Sequence, residues 1–450
     1  MRRTFLSKHT SLFTACCLTL VACSGDSKPN TASDDAAYAI PADACPVVVS
    51  DTDCDKSLRP IVFVHGTFGS GDNISLVASL FGSNGYCQDR FVAVEYNSVG
   101  LSALTGGPID ALDQLIDQVR EQTGQDQVEL MGHSQGTGHC MNYLSSPEHA
   151  AKVAHYVNLS GTGTVANNVK TLSISSENDI GGMLRHNDNA EKVVSFVDED
   201  HMGLASSTRA FEEIYKYLVG KDPEYTEIQC GDEDITIEGI AETFGDNEPI
   251  SGGKLEVFEV RGDPRKRGTP VKVVTSDERG RTGAFTLKRL VPYEFRALDG
   301  QGNLVGHAYF SPLKRSNRLA RFLGPSKNPL VSGLTTDQLK RNAAHSVAVF
   351  RNAAGSFRAD LGDSLTLDEQ EILSEEVAGK ADTTVGLFVA DQNLNKASDL
   401  GKAFEAPFVK GTDLYLQAQK PAWVHVDWNG GTLRIPNWPS DQGLISVFLL

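Results

Sequence analysis

Residues 128–144 read VELMGHSQGTGHCMNYL, and this stretch decides the fold class. Its first four residues are mostly apolar, as expected for a strand buried on both faces of a parallel sheet. Gly132 and Gly136 bracket a sharp turn, and a helical pattern follows through Leu144. Glycine is expected at both positions because the strand and the helix must pack closely there. A strand that passes directly into a helix in this way predicts an α/β domain.

The same alternation extends on both sides of this stretch, from residue 58 to about 220. Helical spacing recurs at Ile109, Leu112, Ile116 and Val119, with Gly124 placed to end that helix. Continuous or nearly continuous apolar runs predict further strands at 61–64, 91–94, 153–159, 169–174 and 193–197. We therefore predict an α/β domain over residues 58–225, with helices on both faces of a doubly wound, mostly parallel sheet.

The pattern changes after about residue 225, where short alternating runs are separated by turns rich in glycine and aspartate. This pattern predicts a β-sandwich over 232–311 and a further β-rich domain over 312–450.

The N-terminal residues have the composition of an export signal. Basic residues 2, 3 and 8 precede a mostly apolar segment that is too short to span a bilayer. The segment ends in Leu20-Val21-Ala22-Cys23, which resembles the bacterial lipoprotein cleavage box. That resemblance implies a signal peptide over 1–22, lipidation of Cys23, a tether over 23–57 and a location in the cell envelope, at the outer membrane or cell surface. The alternative is an ordinary secretion signal cleaved nearby.

Five cysteines remain when those at 16, 17 and 23 are set aside, namely Cys45, Cys54, Cys87, Cys140 and Cys230. They are widely scattered, without zinc-site spacing, and the sequence calls for no metal and no cofactor. Exported proteins form disulfides, so we expect one or two, in a pairing that the sequence leaves open. The odd count leaves one thiol free. Cys140 is the candidate, because it lies in the helix that follows Gly136 and should be buried.

The turn at 132–136 also carries the chemistry-bearing pattern G-x-S-x-G. Between a strand and a helix, such a turn lifts the hydroxyl of Ser134 clear of the sheet as a nucleophile, and the N–H groups that begin the helix point at the reacting carbonyl. The alternative is a plain tight turn, because G-x-S-x-G by itself is a weak pattern.

Upstream, the apolar run 61–64 ends in His65-Gly66-Thr67. With Gly132-His133-Ser134-Gln135-Gly136, this segment resembles the lipase-type members of the α/β-hydrolase superfamily. The resemblance implies an oxyanion hole made by the backbone N–H groups of Thr67 and Gln135. Such donors are worth about 3–4 kcal/mol each in the transition state. We expect His65 to brace the loop.

A serine nucleophile needs a histidine base that is oriented by a carboxylate, and in this fold the chain order is serine, acid, histidine. The segment Ser176-x-x-Asp179-Ile180 resembles the lipase segment that bears the acid, and Glu177 is the rival. His201 follows a predicted strand and precedes a helix, where the base should arrive, whereas His186 lies in a polar loop that looks exposed. We predict Ser134, Asp179 and His201 as the catalytic residues.

Several features favour a neutral lipid as the substrate. The formal net charge of −17 disfavours nucleic acid and gives no attraction to anionic lipid. About ten residues separate the strands ending near 160 and beginning near 169, which leaves no room for a large helical cap, so the site is open or covered by the 180–190 loop or a C-terminal module. The Gly-rich His-Gly-Gly-Gly oxyanion loop of many short-chain esterases is absent, because Thr67-Phe68-Gly69 stands in its place. This difference favours lipase-like substrates.

The order of domains resembles that of lipases with β-rich C-terminal domains, which implies hydrolysis of acylglycerols through an acyl-enzyme. Alternatives are a carboxylesterase or polyester depolymerase, and a surface-anchored binding protein with a vestigial hydrolase core. The sequence does not indicate an oligomeric state.

Overall fold

The computed structural model describes residues 44–99, 107–180, 185–380 and 383–450. The predicted signal peptide (1–22) and Cys23 lie outside these residues, as does most of the predicted tether.

The strands and helices are numbered here in chain order. The strands are β1 (Ile61–Val64), β2 (Phe91–Val94), β3 (Val128–His133), β4 (Val153–Leu159), β5 (Lys170–Ser176), β6 (Lys192–Phe196), β7 (Asp234–Thr243), β8 (Lys254–Glu259), β9 (Lys272–Thr275), β10 (Phe285–Lys288), β11 (Tyr293–Leu298), β12 (Leu304–Phe310), β13 (Asn317–Gly324), β14 (Ala348–Asn352), β15 (Leu365–Leu367), β16 (Gln370–Glu371), β17 (Gly386–Ala390), β18 (Lys402–Ala406), β19 (Val409–Asp413), β20 (Trp423–Trp428), β21 (Gly431–Pro436) and β22 (Leu444–Leu449). The helices are α1 (Ser75–Ser83), α2 (Ile109–Thr123), α3 (Gln135–Leu144), α4 (Pro147–Ala150), α5 (Gly203–Ser206), α6 (Thr208–Val219), α7 (Pro329–Leu334) and α8 (Glu375–Ala378). Short 3-10 turns lie at Gly71–Ile74, Gln88–Arg90, Thr336–Gln338, Ala359–Leu361 and Ser440–Gln442.

The first six strands form one sheet in the order β2-β1-β3-β4-β5-β6, and every neighbouring pair is parallel. Alternate residues of β1 belong to different hydrophobic clusters. Ile61 and Phe63 pack in the cluster that includes α1 and α6, whereas Val62 and Val64 pack with α2 and α3. Helices therefore cover both faces of the sheet at β1, which is why this central strand is apolar throughout. The predicted α/β core is confirmed.

The predicted end of one helix and the close approach in the strand-turn-helix unit are also confirmed. Helix α2 ends at Gly124, which adopts a left-handed φ of 68°. A Cβ at residue 136 would lie 2.1 Å from the carbonyl oxygen of Val64, so only glycine lets α3 approach the end of β1.

The remaining strands form three sheets, which agrees with the β-rich fold class predicted for the second half of the chain. One has three strands (β10-β7-β13), one has nine (β18-β19-β17-β14-β22-β12-β11-β8-β9) and one has four (β16-β15-β20-β21). Strand β22, close to the C-terminus, lies between β12 and β14 and is parallel to both. The nine-stranded sheet thus joins strands from residues 232–311 with strands from residues 312–450. We refer to residues 232–450 as the accessory region.

Two disulfides and one thiol account for the cysteines that the structure describes. Cys45 is bonded to Cys230 and Cys54 to Cys87. Cys140 is free and buried, as predicted, and burial raises the pKa of its thiol. Among the described residues, no helix is both long and apolar enough to cross a membrane.

Candidate active site

The turn between β3 and α3 holds Ser134 in a strained backbone conformation. Its φ is 53° and its ψ is −122°, a combination that a residue with a side chain adopts only when its surroundings impose it. The carbonyl oxygen of Leu159 accepts a hydrogen bond from the Ser134 N–H. On the other side, a Cβ at residue 66 would lie 2.8 Å from the Ser134 Cβ, so Gly66 is needed for this contact. Ser134 itself is only half-buried. The turn therefore presents its hydroxyl beside the loop that follows β1.

Asp179 and His201 come together at the carboxyl ends of β5 and β6. The Nδ1 of His201 lies 2.6 Å from Oδ1 of Asp179, and both residues are buried. This contact leaves Nε2 as the nitrogen of His201 that is available to accept a proton. The rival acid Glu177 is exposed, and so is His186. The structure therefore pairs the predicted carboxylate with the predicted base and leaves both rivals at the surface.

The pKa of Asp179 reflects competing effects. Burial alone would raise it, but the hydrogen bond and charge of His201, together with hydrogen bonds from Ser160 and the Ile180 N–H, lower the pKa of Asp179 to about 2. Arg185 adds a cation, with Nη1 3.3 Å from Oδ2. Asp179 is consequently a carboxylate throughout the neutral range.

His133 connects the serine turn to the loop that carries His201. Its Nε2 donates to the backbone oxygen of His201 at 2.8 Å, and the two ring centroids lie 4.6 Å apart. Burial, and then the proximity of His201, lower the pKa of His133 to about 3, so this ring stays neutral. Among the described residues, no hydrogen bond joins Ser134 Oγ to the ring of His201. Catalytic hydrogen bonds are often long before substrate binds.

In the loop after β1, residues 65–71, four backbone N–H groups have a hydrogen-bond acceptor. Those of Phe68, Gly69, Ser70 and Gly71 donate, respectively, to Ser98 Oγ, the Gly66 oxygen, Asn73 Oδ1 and Glu95 Oε1. The N–H groups of Thr67 and of the two residues before it, by contrast, donate to none of the described residues. We call residues 65–71 the oxyanion loop.

The second predicted donor lies at the start of α3. Gln135 is the first residue of that helix, and N–H groups in the first turn of a helix have no partner within it. The side chains of Thr67 and Gln135 are 3.3 Å apart between Oγ1 and Oε1. The two predicted donors thus lie on adjoining segments beside Ser134.

Sequence reasoning missed Ser160, which follows β4. Its Oγ donates to Asp179 Oδ2 and lies 3.3 Å from His201 Nδ1, and its φ of 65° is left-handed. Its position at the carboxyl end of a central strand was the available signal, because ligands bind at that edge of a parallel sheet. No motif in the sequence marks it.

Comparison with known families agrees with this arrangement. Residues 59–208 match the family model described as the alpha/beta hydrolase fold, and residues 233–327 match the lipase C-terminal domain. Residues 335–450 match a third model, described as a C-terminal domain. The chain is thus a hydrolase of the α/β-hydrolase superfamily, and these matches support ester hydrolysis as its general reaction. Within that superfamily it is of the lipase type.

Similar solved structures are distant. Lipase B of Aspergillus fumigatus is 13% identical with a TM-score of 0.26, over 38% of this chain and 55% of its own. A CIB-like hydrolase from Thermoplasma acidophilum is 16% identical with a TM-score of 0.26, over 36% and 84%. The lipase BlEst2 of Bacillus licheniformis, in its propeptide form, is 11% identical with a TM-score of 0.27, over 85% and 93%. The family assignment therefore rests on the sequence models.

Proposed function

We propose that this chain is a serine hydrolase that cleaves the carboxylic esters of lipids, with acylglycerols as the substrate class. The observation that carries the proposal is the buried Asp179–His201 contact of 2.6 Å, linked through His133 to the strained turn at Ser134. A histidine whose Nδ1 is held by a carboxylate has the tautomer and orientation that a general base needs.

The reaction proceeds in two steps. Ser134 Oγ attacks the ester carbonyl carbon while His201 Nε2 takes the hydroxyl proton, and the N–H groups of Thr67 and Gln135 stabilise the negative oxygen. The carbon–oxygen bond to the alcohol then breaks, and the alcohol leaves with the proton from His201. Water, deprotonated by His201, then attacks the acyl carbon. The bond from that carbon to Ser134 Oγ breaks, the proton on His201 returns to Ser134, and the fatty acid leaves. Asp179 keeps its negative charge throughout and stabilises the protonated imidazole.

Apolar side chains beside the oxyanion loop support a lipid substrate. The rings of Phe68 and Phe408 are 6.2 Å apart between centroids, and both are half-buried. Burial of each acyl methylene contributes about 0.8 kcal/mol, so an apolar wall next to the reacting carbonyl favours long acyl chains. Phe408 belongs to the accessory region, which is in keeping with a role for that region in binding the acyl chain.

The test is covalent trapping with a fluorophosphonate, followed by mapping of the labelled peptide. We expect the label on Ser134, and we expect Ser134→Ala to lower kcat on p-nitrophenyl esters by about 10⁶-fold. Ser145→Ala is the control, because Ser145 is an exposed serine just past the other end of α3. Unchanged turnover in Ser134→Ala would reject the proposal and favour a vestigial hydrolase core.

A series of p-nitrophenyl esters from acetate to palmitate tests the substrate class. We expect turnover to rise with chain length. Maximal turnover on acetate would point instead to a carboxylesterase or a polyester depolymerase with the same catalytic residues.

We also propose that the protein is exported and anchored through a lipidated Cys23. The two disulfides support export, since such bonds persist in oxidising compartments. The mass of the mature N-terminal peptide, measured beside a Cys23→Ser variant, tests the anchor. An unmodified cysteine would indicate ordinary secretion.

A further inference from the structure

We propose that Asn247, in the accessory region, is a positioning residue that fixes the oxyanion loop. The inference rests on the proposed function, because it concerns the Thr67 N–H that stabilises the negative oxygen. Asn247 lies more than a hundred residues downstream of Ser134, in the turn that follows β7.

The side chain of Asn247 is buried against the oxyanion loop. Its Nδ2 donates to the carbonyl oxygen of Gly69 at 2.7 Å and to that of Tyr96 at 3.3 Å, and it lies 3.4 Å from Nε2 of His65. All three neighbours are hydrogen-bond acceptors when the imidazole is neutral, which assigns the amide nitrogen to this side of the group. Burial lowers the pKa of His65 and keeps it neutral.

Gly69 is the residue through which Asn247 reaches Thr67. The N–H of Gly69 donates to the oxygen of Gly66 at 3.0 Å and closes a turn that has Thr67 and Phe68 at its centre. The Nδ2 of Asn247 donates to the carbonyl oxygen of Gly69, the last residue of that turn. The direction of the Thr67 N–H therefore depends on a contact that the accessory region supplies.

Asn247 is itself held rigidly. Its φ of 54° is left-handed, a conformation in which asparagine is several-fold enriched. The turn is closed by the Thr243 N–H, which donates to the Glu248 oxygen at 2.9 Å. Asp246 accepts hydrogen bonds from Thr243 Oγ1 and, at 2.6 Å, from Ser326 Oγ. A donor on so rigid a turn can position its partner.

Buried ion pairs attach the accessory region to the C-terminal end of the oxyanion loop and the turn beyond it. Arg321 of β13 bonds Glu95, whose Oε1 accepts the Gly71 N–H at 2.8 Å. Arg351 of β14 contacts Asp72 at 2.5 Å. The guanidinium of Arg321 fills the space beside Gly71, since a Cβ at residue 71 would lie 2.4 Å from its Nη2. The accessory region thus holds the loop by several polar contacts, and among these the hydrogen bond from Asn247 to Gly69 lies closer to Thr67 along the chain than the contacts at Gly71 and Asp72 do.

The test compares two substitutions of Asn247 with a matched control. Asn247→Gly removes the side chain and tolerates the left-handed backbone, whereas Asn247→Asp keeps the shape but places an acceptor against the Gly69 and Tyr96 oxygens. The control is Asn437→Ala. Asn437 is also a buried asparagine, and its Nδ2 donates to the oxygens of Gln417 and Lys420, with its side-chain contacts inside the accessory region.

We expect kcat on p-nitrophenyl butyrate to fall about 10- to 100-fold in both Asn247 variants, with KM within about twofold, because a 1 Å misplacement costs on that order. The decisive readout is the same measurement on the thionoester analogue. Sulfur is a weak hydrogen-bond acceptor, so its turnover should fall far less. Asn437→Ala should lower the thermal midpoint and leave kcat unchanged.

Equal falls on the oxygen and sulfur esters, or a kcat within twofold of the wild type in Asn247→Gly, would overturn the inference. If Asn247→Gly does not fold, the ratio of the two ester rates in Asn247→Asp decides in the same way. A wild-type enzyme that neither turns over esters nor takes the fluorophosphonate rejects the proposed function. A labelled, active wild type with unaffected Asn247 variants rejects this inference alone.

Discussion

Four non-glycine residues with positive φ angles lie in the segments that form the site or contact it. Phe68, Ser134, Ser160 and Asn247 have φ angles of 57°, 53°, 65° and 54°. Such conformations cost energy in residues with side chains and persist only where the surroundings over-determine them. Each of these residues belongs to a segment that carries or holds a proposed catalytic group. The strained backbone thus occurs where the proposed chemistry requires a hydroxyl or a hydrogen-bond donor to point in a fixed direction.

At the same scale, His133 should make stability depend on pH. Its folded pKa of about 3 lies below the ordinary histidine pKa of about 6.5, because burial and then His201 disfavour its charged form. Between these values the unfolded chain binds the extra proton, so stability rises with pH there and falls as the solution is acidified. We expect His133→Gln, which keeps a donor for the His201 oxygen, to flatten this dependence by up to about 1.4 kcal/mol per pH unit. Urea unfolding between pH 4 and 6.5 measures it. Identical slopes in both proteins would contradict the assignment.

At the scale of elements, the site is assembled from the carboxyl ends of parallel strands. The oxyanion loop follows β1, Ser134 follows β3, and Asp179 and His201 follow β5 and β6. The strand order β2-β1-β3 reverses direction between β1 and β3, and a crevice opens at such a switch point. The proposed nucleophile and Thr67 lie at this crevice, so the topology explains why two segments far apart in sequence adjoin.

The packing of α3 on β1 gives an element-scale prediction. Gly136→Ala would place a Cβ 2.1 Å from the Val64 oxygen, which must push the helix and its N-terminal amides away from the strand. We expect destabilisation of about 2 kcal/mol or more and at least a tenfold loss of kcat. Gly138→Ala is the control in the same helix, where an added Cβ meets nothing within 4 Å. It should be neutral or gain up to about 1 kcal/mol. Similar behaviour of the two variants in thermal unfolding and kinetics would refute the packing argument.

At the scale of the whole molecule, the accessory region contacts three loops of the proposed site. Asn247 holds the oxyanion loop, Asn178 beside Asp179 donates to the Lys380 oxygen at 3.4 Å, and Asp200 beside His201 accepts from Ser356 at 3.2 Å. Leu319 of β13 also packs into the hydrophobic cluster of the α/β core. The accessory region is thus part of the framework of the site.

The two disulfides provide a prediction at this scale. Cys45–Cys230 joins residues 185 apart and ties the segment before the core to the segment just before the accessory region, whereas Cys54–Cys87 spans 33. Loop closure in the unfolded chain then makes the longer bond worth about 1.5 kcal/mol more. We expect Cys45→Ala/Cys230→Ala to lower the unfolding free energy more than Cys54→Ala/Cys87→Ala does. Denaturant titration of both pairs checks this, and the reverse order would show that native-state strain or residual structure dominates.

The sequence by itself determined what depends on local pattern. Apolar runs predicted the parallel strands, because strands covered on both faces have no polar side, and glycines 132 and 136 predicted the turn at Ser134. The resemblance to the lipase segment singled out Asp179, and the chain order of acid and histidine then singled out His201; the structure pairs the two, and their catalytic roles remain proposals. The odd cysteine was also assigned correctly to Cys140.

Only the tertiary structure decided the contacts between segments far apart in the chain. The hydrogen bond from Ser160 to Asp179, the pairing of the cysteines, the nine-stranded sheet that joins the two accessory parts and the contact of Asn247 with Gly69 carry no local signature. Each arises from the way different elements of the chain pack against one another. Sequence periodicity records which face of an element is buried, but not which distant side chain covers it.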